Sequence, residues 1–266
     1  MIYNYKYIKV PLTGSYMDCV KFGTGDKNLI MIPGLSLQGV KEAGASLALL
    51  YRIFAKDYTV YMFDRRRFIP QGFTAENIAD DIAVGMDRLG IKSADILGVS
   101  LGGMAAQYLA IKYPGKVDKL VLALTAATTN QLIESAVGGW IKMIQAGDTK
   151  TFITDMAEKM YSEKRVRFYR GILSALSPLA MPKDRIRFIN TAKAAMSCDT
   201  YPHLDKITCP CLVIAAREDK VVGAARGRDI ASKIGCELFV YSELGHGAYD
   251  EAKDFNKRVL EFFNRK

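Results

Sequence analysis

The residues of this 266-residue chain that are spaced for chemistry begin with Ser100, in Gly98-Val99-Ser100-Leu101-Gly102. That run follows an apolar stretch at 94–99 and opens a helical pattern. A Gly-x-Ser-x-Gly run between a strand and a helix is a nucleophile elbow. The turn is so tight that side chains two positions either side of the serine would collide. Its product is a hydroxyl held above the sheet beside a helix N-terminus. The bare string is a weak signal, and a glycine-rich turn without chemistry is its bland reading. The flanking strand and helix give it weight. Gly102-Gly103 does not extend it into a phosphate loop, because neither nucleotide-binding glycine pattern is present.

A serine hydroxyl is a poor nucleophile without a base to take its proton. The chain has only two histidines, His203 and His246. His246 lies in Leu244-Gly245-His246-Gly247, just past the last apolar run, where glycines on both sides let the imidazole reach inward. His203 precedes the strand expected at 211–215, at that strand's N-terminal edge, and suits a surface or packing role. Open parallel sheets place their sites at strand C-termini, so His246 is the candidate base. An acid must then hold the imidazole in the correct tautomer. Glu218 and Asp219 follow the strand at 211–215. Both also read as a solvated turn, and Asp219 as a cap for a helix starting near Val222.

The elements that must position these groups alternate. Strands are expected at 5–11, 15–22, 28–32, 58–63, 94–99, 117–125, 211–215 and 238–241. Helices are expected at 44–55, 74–89, 100–113, 222–234 and 249–264. Short, nearly continuous apolar strands between helices imply a mostly parallel sheet covered on both faces, an α/β fold. The alternation breaks between 126 and 200, where only helical stretches are found. The expected organisation is therefore a core of 1–125 and 201–266 with a helical lid, 126–200, inserted between two strands. Trp140, Met143, Met156 and Met160 of the lid are candidates to line a pocket, although such spacing is more often plain core.

Half the chain is hydrophobic and 24% is charged, which fits a globular protein and excludes a disordered or collagen-like one. Five cysteines without a ladder of spacings point to free thiols and a cytoplasmic protein. Cys209-Pro210-Cys211 lacks zinc spacing, so neither a metal nor another cofactor is expected. No signal-peptide core and no membrane-spanning run is expected. The formal charge of +9 comes from scattered basic residues without an aromatic-interleaved stripe, which disfavours nucleic acid. Residues 126–200 carry 11 Lys/Arg against 7 Asp/Glu. This bias hints at an anionic small-molecule substrate entering beneath the lid. Asp64-Arg65-Arg66-Arg67 could likewise greet an acidic substrate, but a solvated loop with Asp64 as a structural acid is the preferred reading.

The chain resembles the α/β-hydrolase family, most densely over 73–125 and in GVSLGGMAAQYLA at 98–110. That wording is most similar to the lidded serine esterases, enol-lactonases and cofactor-free haloperoxidase-like members. The resemblance implies the chain order Ser, acid, His. It places the acid at the end of a Gly-x-x-Asp turn, here Ala216-Arg217-Glu218-Asp219. Asp219 is therefore preferred, and the missing glycine leaves Glu218 open. It also implies an oxyanion hole from two backbone N–H groups, those of Leu101 and Leu35. Family members commonly read His-Gly where this chain reads Pro33-Gly34, but the matching donor is the residue after the glycine. The family loop usually carries glycine at position 67, here arginine.

The leading expectation is a serine hydrolase of a small ester, lactone or thioester, working through an acyl-enzyme on Ser100. A carbon–carbon bond hydrolase or cofactor-free lyase with the same triad is the alternative, as is a non-catalytic small-molecule receptor. An aspartate-nucleophile epoxide hydrolase or dehalogenase is set aside, because position 100 is serine.

Overall fold

In the computed structural model, which describes residues 3–176 and 181–265, eight strands form one sheet. They are β1 (Lys6–Leu12), β2 (Ser15–Phe22), β3 (Lys27–Ile32), β4 (Tyr58–Arg66), β5 (Ala94–Val99), β6 (Val117–Ala123), β7 (Cys211–Ala216) and β8 (Glu237–Tyr241). Their order is β1-β2-β4-β3-β5-β6-β7-β8. The β1–β2 hairpin turns at Gly14, which takes φ +66°, and pairs antiparallel. β2 also meets β4 antiparallel, and every later pairing is parallel. All six residues of β5 and of β7 are buried, as covered parallel strands require.

One face of the sheet carries α2 (Ala75–Arg88), α3 (Leu101–Lys112) and α8 (Ala224–Ile234). The other carries α1 (Val40–Leu50) and α10 (Phe255–Phe263). Ile78, Ile82 and Met86 of α2 are buried at helical spacing beneath a Thr74–Asn77 capping box. On the opposite face, Phe255, Val259 and Phe263 pack with Phe22, Phe54 and Tyr58.

Two helices differ from the sequence expectation. α1 starts at Val40 rather than 44, because Asp64 Oδ2 on β4 accepts its first N–H at 3.2 Å. A long-range partner, not a local cap, begins the helix. The single helix expected at 249–264 is two, α9 (Ala248–Glu251) and α10, separated by extended backbone at Ala252. The break lets Ala248 pack against Leu124 and Ala216 while Phe255 turns onto the sheet.

Between β6 and β7 stand α4 (Gln131–Ala146), α5 (Thr149–Met160), α6 (Glu163–Leu176) and α7 (Arg185–Ala195). Part of this stretch, 177–180, lies outside the described residues. The chain leaves and re-enters the core through a narrow neck. Thr128 and Asp199 form an antiparallel bridge, and Thr200 N–H donates to Ala127 O at 2.7 Å. Buried Gln107 of α3 ties the neck down: its amide donates to Ala126 O at 3.0 Å and accepts from Thr200 Oγ1 at 2.6 Å.

The topology opens a crevice. From β3 the chain crosses to β4 on one side and then returns to β5 on the other. Loops leaving β3 and β5 therefore diverge, and such a switch point at strand C-termini is where open α/β sheets bind ligands.

Candidate active site

Ser100 sits on that switch point, between the last residue of β5 and the first of α3, with φ 53° and ψ −121°. An L-residue occupies that region only under constraint. Here the constraint is visible on both sides. Ser100 N–H donates to Ala123 O at 2.9 Å, and its carbonyl accepts from Gly103 N, Met104 N and Thr125 Oγ1 at 2.8, 3.1 and 2.8 Å. A Cβ on Gly102 would lie 1.9 Å from Ile32 O, so only glycine lets α3 start this close to β3.

His246 leaves the loop after β8 and is 3% exposed. Its Nε2 lies 2.9 Å from Ser100 Oγ and its Nδ1 2.8 Å from Asp219 Oδ2. Asp219 Oδ1 accepts the N–H groups of Val221 and Val222 at 2.8 and 2.9 Å. Burial alone would raise the Asp219 carboxyl. The His246 charge and the hydrogen bonds from His246, Val222 and Val221 outweigh it and hold the group below its ordinary value. Glu218 is exposed and approaches the histidine loop only through its backbone, donating N–H to Leu244 O at 3.1 Å. The side chain that reaches His246 is thus Asp219. His203 is exposed, in a short 3-10 turn before β7.

Gly34 lies beside the serine, with an added Cβ 3.1 Å from Ser100 Cβ. Leu101 is buried at the first position of α3, and Leu35 is half-buried in the loop after β3. What holds that loop is Arg65. The segment at Asp64-Arg65-Arg66-Arg67 is not a solvated loop: β4 runs to Arg66, paired with Met17 of β2, and Asp64 and Arg65 are each 4% exposed. The apolar run ends at Phe63, but strand pairing continues past it. Arg65 Nη2 donates to Pro33 O and, at 2.8 Å, to Gly34 O. In a trans peptide the N–H points opposite to the C=O, so this bond turns the Leu35 N–H away from Arg65. Burial pushes the Arg65 guanidinium down to about 10, with Asp64 opposing and Arg187 adding to the shift. It is still charged at neutral pH. Arg66 is forked onto Asp81 at 2.8 and 2.5 Å. The reading of Asp64 as a structural acid stands: it accepts from Val40 N–H, Arg65 N–H and Arg187 Nη2.

The four helical pocket candidates fall in different places. Trp140 is 3% exposed, within the core, and its Nε1 donates to Asp155 at 2.7 Å. Met143 and Met156 are half-buried against that core. Met160 reaches the histidine loop by its backbone, accepting Gly247 N–H at 2.5 Å. Neither this backbone clamp nor the roles of Thr125 and Arg65 had a sequence signal, because each depends on a partner distant along the chain. Among the described residues no cluster of side chains suits a metal ion, and no helix is long and apolar enough to cross a membrane.

Residues 27–253 match the family described as the alpha/beta hydrolase fold. The chain belongs to the α/β-hydrolase family. This α/β-hydrolase is similar to a 2-hydroxy-6-oxononadienedioate/2-hydroxy-6-oxononatrienedioate hydrolase of a Pseudomonas species, 28% identical over 68% of this chain and 66% of that one. It is 25% identical to the 3-oxoadipate enol-lactonase 2 of Acinetobacter baylyi, over 72% of this chain and 71% of that protein. The matches thus span about two thirds of those relatives' lengths. Among solved structures, the α/β-hydrolase enzyme MGS-M2 from a Medee basin deep-sea metagenome superposes with a TM-score of 0.88 at 22% identity. That match covers 97% of this chain and 98% of that one. The enol-lactonase of Burkholderia xenovorans does so at 0.79 and 20% identity, covering 97% and 100%. The chain is an enzyme of the hydrolase class.

Proposed function

We propose that this α/β-hydrolase cleaves a carboxylic ester, lactone or thioester of a small molecule through an acyl-enzyme on Ser100. The observation that carries the reading is the continuous hydrogen-bonded line Ser100 Oγ–His246–Asp219, with the serine held in strained backbone. His246 Nε2 takes the hydroxyl proton as Oγ attacks the carbonyl carbon. The oxyanion is received by the N–H groups of Leu35 and Leu101. Asp219 keeps the proton of the imidazole on Nδ1 and stabilises the cation. The proton then passes to the leaving oxygen or sulfur, and water, deprotonated by His246, releases the acyl group. Residues 126–200 act as the lid, entered and left at the Thr128–Asp199 neck. Five free thiols suit work in the cytoplasm.

Fluorophosphonate labelling and hydrolysis of short-chain nitrophenyl esters test this. Wild type is expected to take one label at Ser100 and to turn over ester, and Ser100→Ala to do neither. Equal turnover by both, or a wild type that takes no label, would overturn the assignment of Ser100 as nucleophile.

The likeness to the dienedioate hydrolase supports a second reading, carbon–carbon bond cleavage by the same serine and histidine. Both relatives are named for acidic compounds, a dioate and an oxoadipate, which also supports an anionic substrate. Turnover of a 2-hydroxy-6-oxo dienedioate in preference to nitrophenyl esters would favour this second chemistry.

A further inference from the structure

A cavity of about 890 Å³ opens between the loop continuing from Pro33–Leu35, the end of β4, and α7. That volume falls in the range of small-molecule sites, roughly 300–1,000 Å³. The charges of Asp64, Arg65 and the half-buried Arg187 on its wall do not balance. Asp64 is matched by Arg187, whose Nη2 lies 3.1 Å from Oδ1. Among the described residues, the Arg65 guanidinium donates to neutral acceptors, the carbonyls of Pro33 and Gly34. One carboxylate and two guanidinium groups leave a net charge of +1. The imbalance is also one of hydrogen bonds: among the described residues, Nε of Arg65 and Nε of Arg187 are both buried without an acceptor. A buried donor left unpaired costs free energy, and both of these residues line the cavity.

The whole wall gives the same balance: Asp18, Glu42, Asp64 and Asp184 face Arg65, Arg67, Lys183, Arg185 and Arg187, one positive charge in excess. Asp184 lies 3.9 Å from Arg67, and Lys183 and Arg185 are exposed at the rim. Leu37, Met181 and Phe188 give the cavity an apolar side.

We propose that this cavity binds an organic carboxylate, its carboxylate seated between Arg65 and Arg187 and its hydrocarbon part against Leu37, Met181 and Phe188. A guanidinium fork matches a carboxylate in shape and charge, and a single excess charge suits a monoanion. The carboxylate has two possible sources: the distal end of the substrate, which rests on the hydrolase reading above, or a separate small acid. The site adjoins the reaction centre either way, because Arg65 holds Gly34, the neighbour of Ser100.

The test uses hexanoate and hexanamide as probes at constant ionic strength. Binding is read first as the melting temperature of the full-length Ser100→Ala protein, so the result does not depend on any hydrolytic activity. A saturable rise with hexanoate and none with hexanamide is expected. Arg187→Met should weaken hexanoate about tenfold or more, the loss of one charge-assisted hydrogen bond. Arg187→Lys, which keeps the charge and loses the fork, should fall between the two and decides the matter if the methionine variant does not fold. Equal shifts with acid and amide, or a hexanoate affinity that Arg187→Lys leaves unchanged, would overturn the proposal. Wild-type kinetics then separate the sources. If the carboxylate belongs to the substrate, hexanoate competes, and an ester with a distal carboxylate exceeds its carboxamide in kcat/KM. If it is a separate acid, hexanoate changes kcat without competing.

Discussion

Replacing Asp219 by Asn tests the proposed mechanism at its most specific point. Asp219 uses both oxygens: Oδ1 takes the N–H groups of Val221 and Val222, and Oδ2 faces His246 Nδ1. An asparagine keeps one acceptor. Two backbone donors outcompete one ring nitrogen for it, so the amide oxygen should stay with Val221 and Val222. The amide NH2 then donates to Nδ1. That places the histidine's proton on Nε2, aimed at Ser100 Oγ, in the tautomer that cannot accept the serine proton. In the general serine-triad case this wrong-tautomer exchange lowers kcat by about 10⁴. At 1.36 kcal/mol per decade this is about 5.4 kcal/mol of lost transition-state stabilisation. The expected result with a nitrophenyl ester is a kcat down by about 10⁴ and a KM little changed. Glu218→Gln should leave both parameters alone, because that side chain is exposed and its contact with the loop is through backbone. A kcat for Asp219→Asn within tenfold of wild type, or an equal loss in Glu218→Gln, would refute the reasoning. The acid limb of stability offers a cross-check. The Asp219 carboxyl is held below its ordinary 3.8 in the fold, so its contribution is present above that value and lost as pH falls through the lowered one. The stability gap between wild type and Asp219→Asn should therefore narrow in acid, as read by denaturant melts across that range.

Three further outcomes rest on geometry away from the proton relay. Ser100→Gly and Ser100→Ala should both be inactive, but glycine releases the strain of φ 53°. Its melting temperature should lie about 2–4 °C above that of Ser100→Ala, for roughly 1 kcal/mol of relieved strain. Gly102→Ala would drive a Cβ to 1.9 Å from Ile32 O, whereas an alanine at Gly138 of α4 meets nothing within 4 Å. The first should cost at least about 3 kcal/mol, and the second should stabilise by about 0.5–1 kcal/mol through helix propensity, read by urea denaturation. Gln107→Leu removes the amide that joins Ala126 O and Thr200 Oγ1. A loss of about 2–3 kcal/mol is expected, with protease cleavage between 126 and 200 increased as the neck loosens.

The sequence carried the parts of this fold that depend on local pattern. Apolar runs bounded by glycine and proline marked the parallel strands, because strands covered on both faces must be apolar throughout. The elbow was legible because its glycines are required by close packing, as at Gly102. His246 and Asp219 were legible by their place after strands. What stayed hidden depends on pairing across the chain. Arg65 looked like one of three solvated arginines, since residue type cannot tell that β2 extends β4 past Phe63 and carries Arg65 into the interior. The start of α1 has no local signal for a similar reason: its first donor is satisfied from β4 by Asp64, not by a neighbour in sequence. Pattern alone predicts one final helix, because Ala252, Phe255, Val259 and Phe262 keep helical spacing across a break.

These long-range contacts bear on how substrate reaches Ser100. The helical segment is pinned on two flanks. At the α5–α6 junction Met160 O holds Gly247 N–H, Ser162 N–H donates to Glu251 at 3.1 Å, and Arg165 meets Asp250 at 2.9 Å. At α7, Arg187 meets Asp64 and the Arg65 carbonyl, and Asn190 donates to Ile69 O at 3.0 Å. The partly exposed Arg165–Asp250 pair contributes about 1 kcal/mol or less. Arg187–Asp64 is different, because Asp64 is buried and would lose a charged hydrogen-bond donor that water does not readily replace. Lifting the α5–α6 side would pull on the loop that carries His246, while lifting the α7 side would break the Arg187 bonds to Asp64 and to the Arg65 carbonyl. The proposed lid, joined to the core at the Thr128–Asp199 neck, is therefore not expected to open freely on either flank. The cheaper opening is at the α5–α6 side, where the cost falls on hydrogen bonds that water can replace. Movement there is expected to displace the proposed base, so an open lid and a competent His246 should exclude one another.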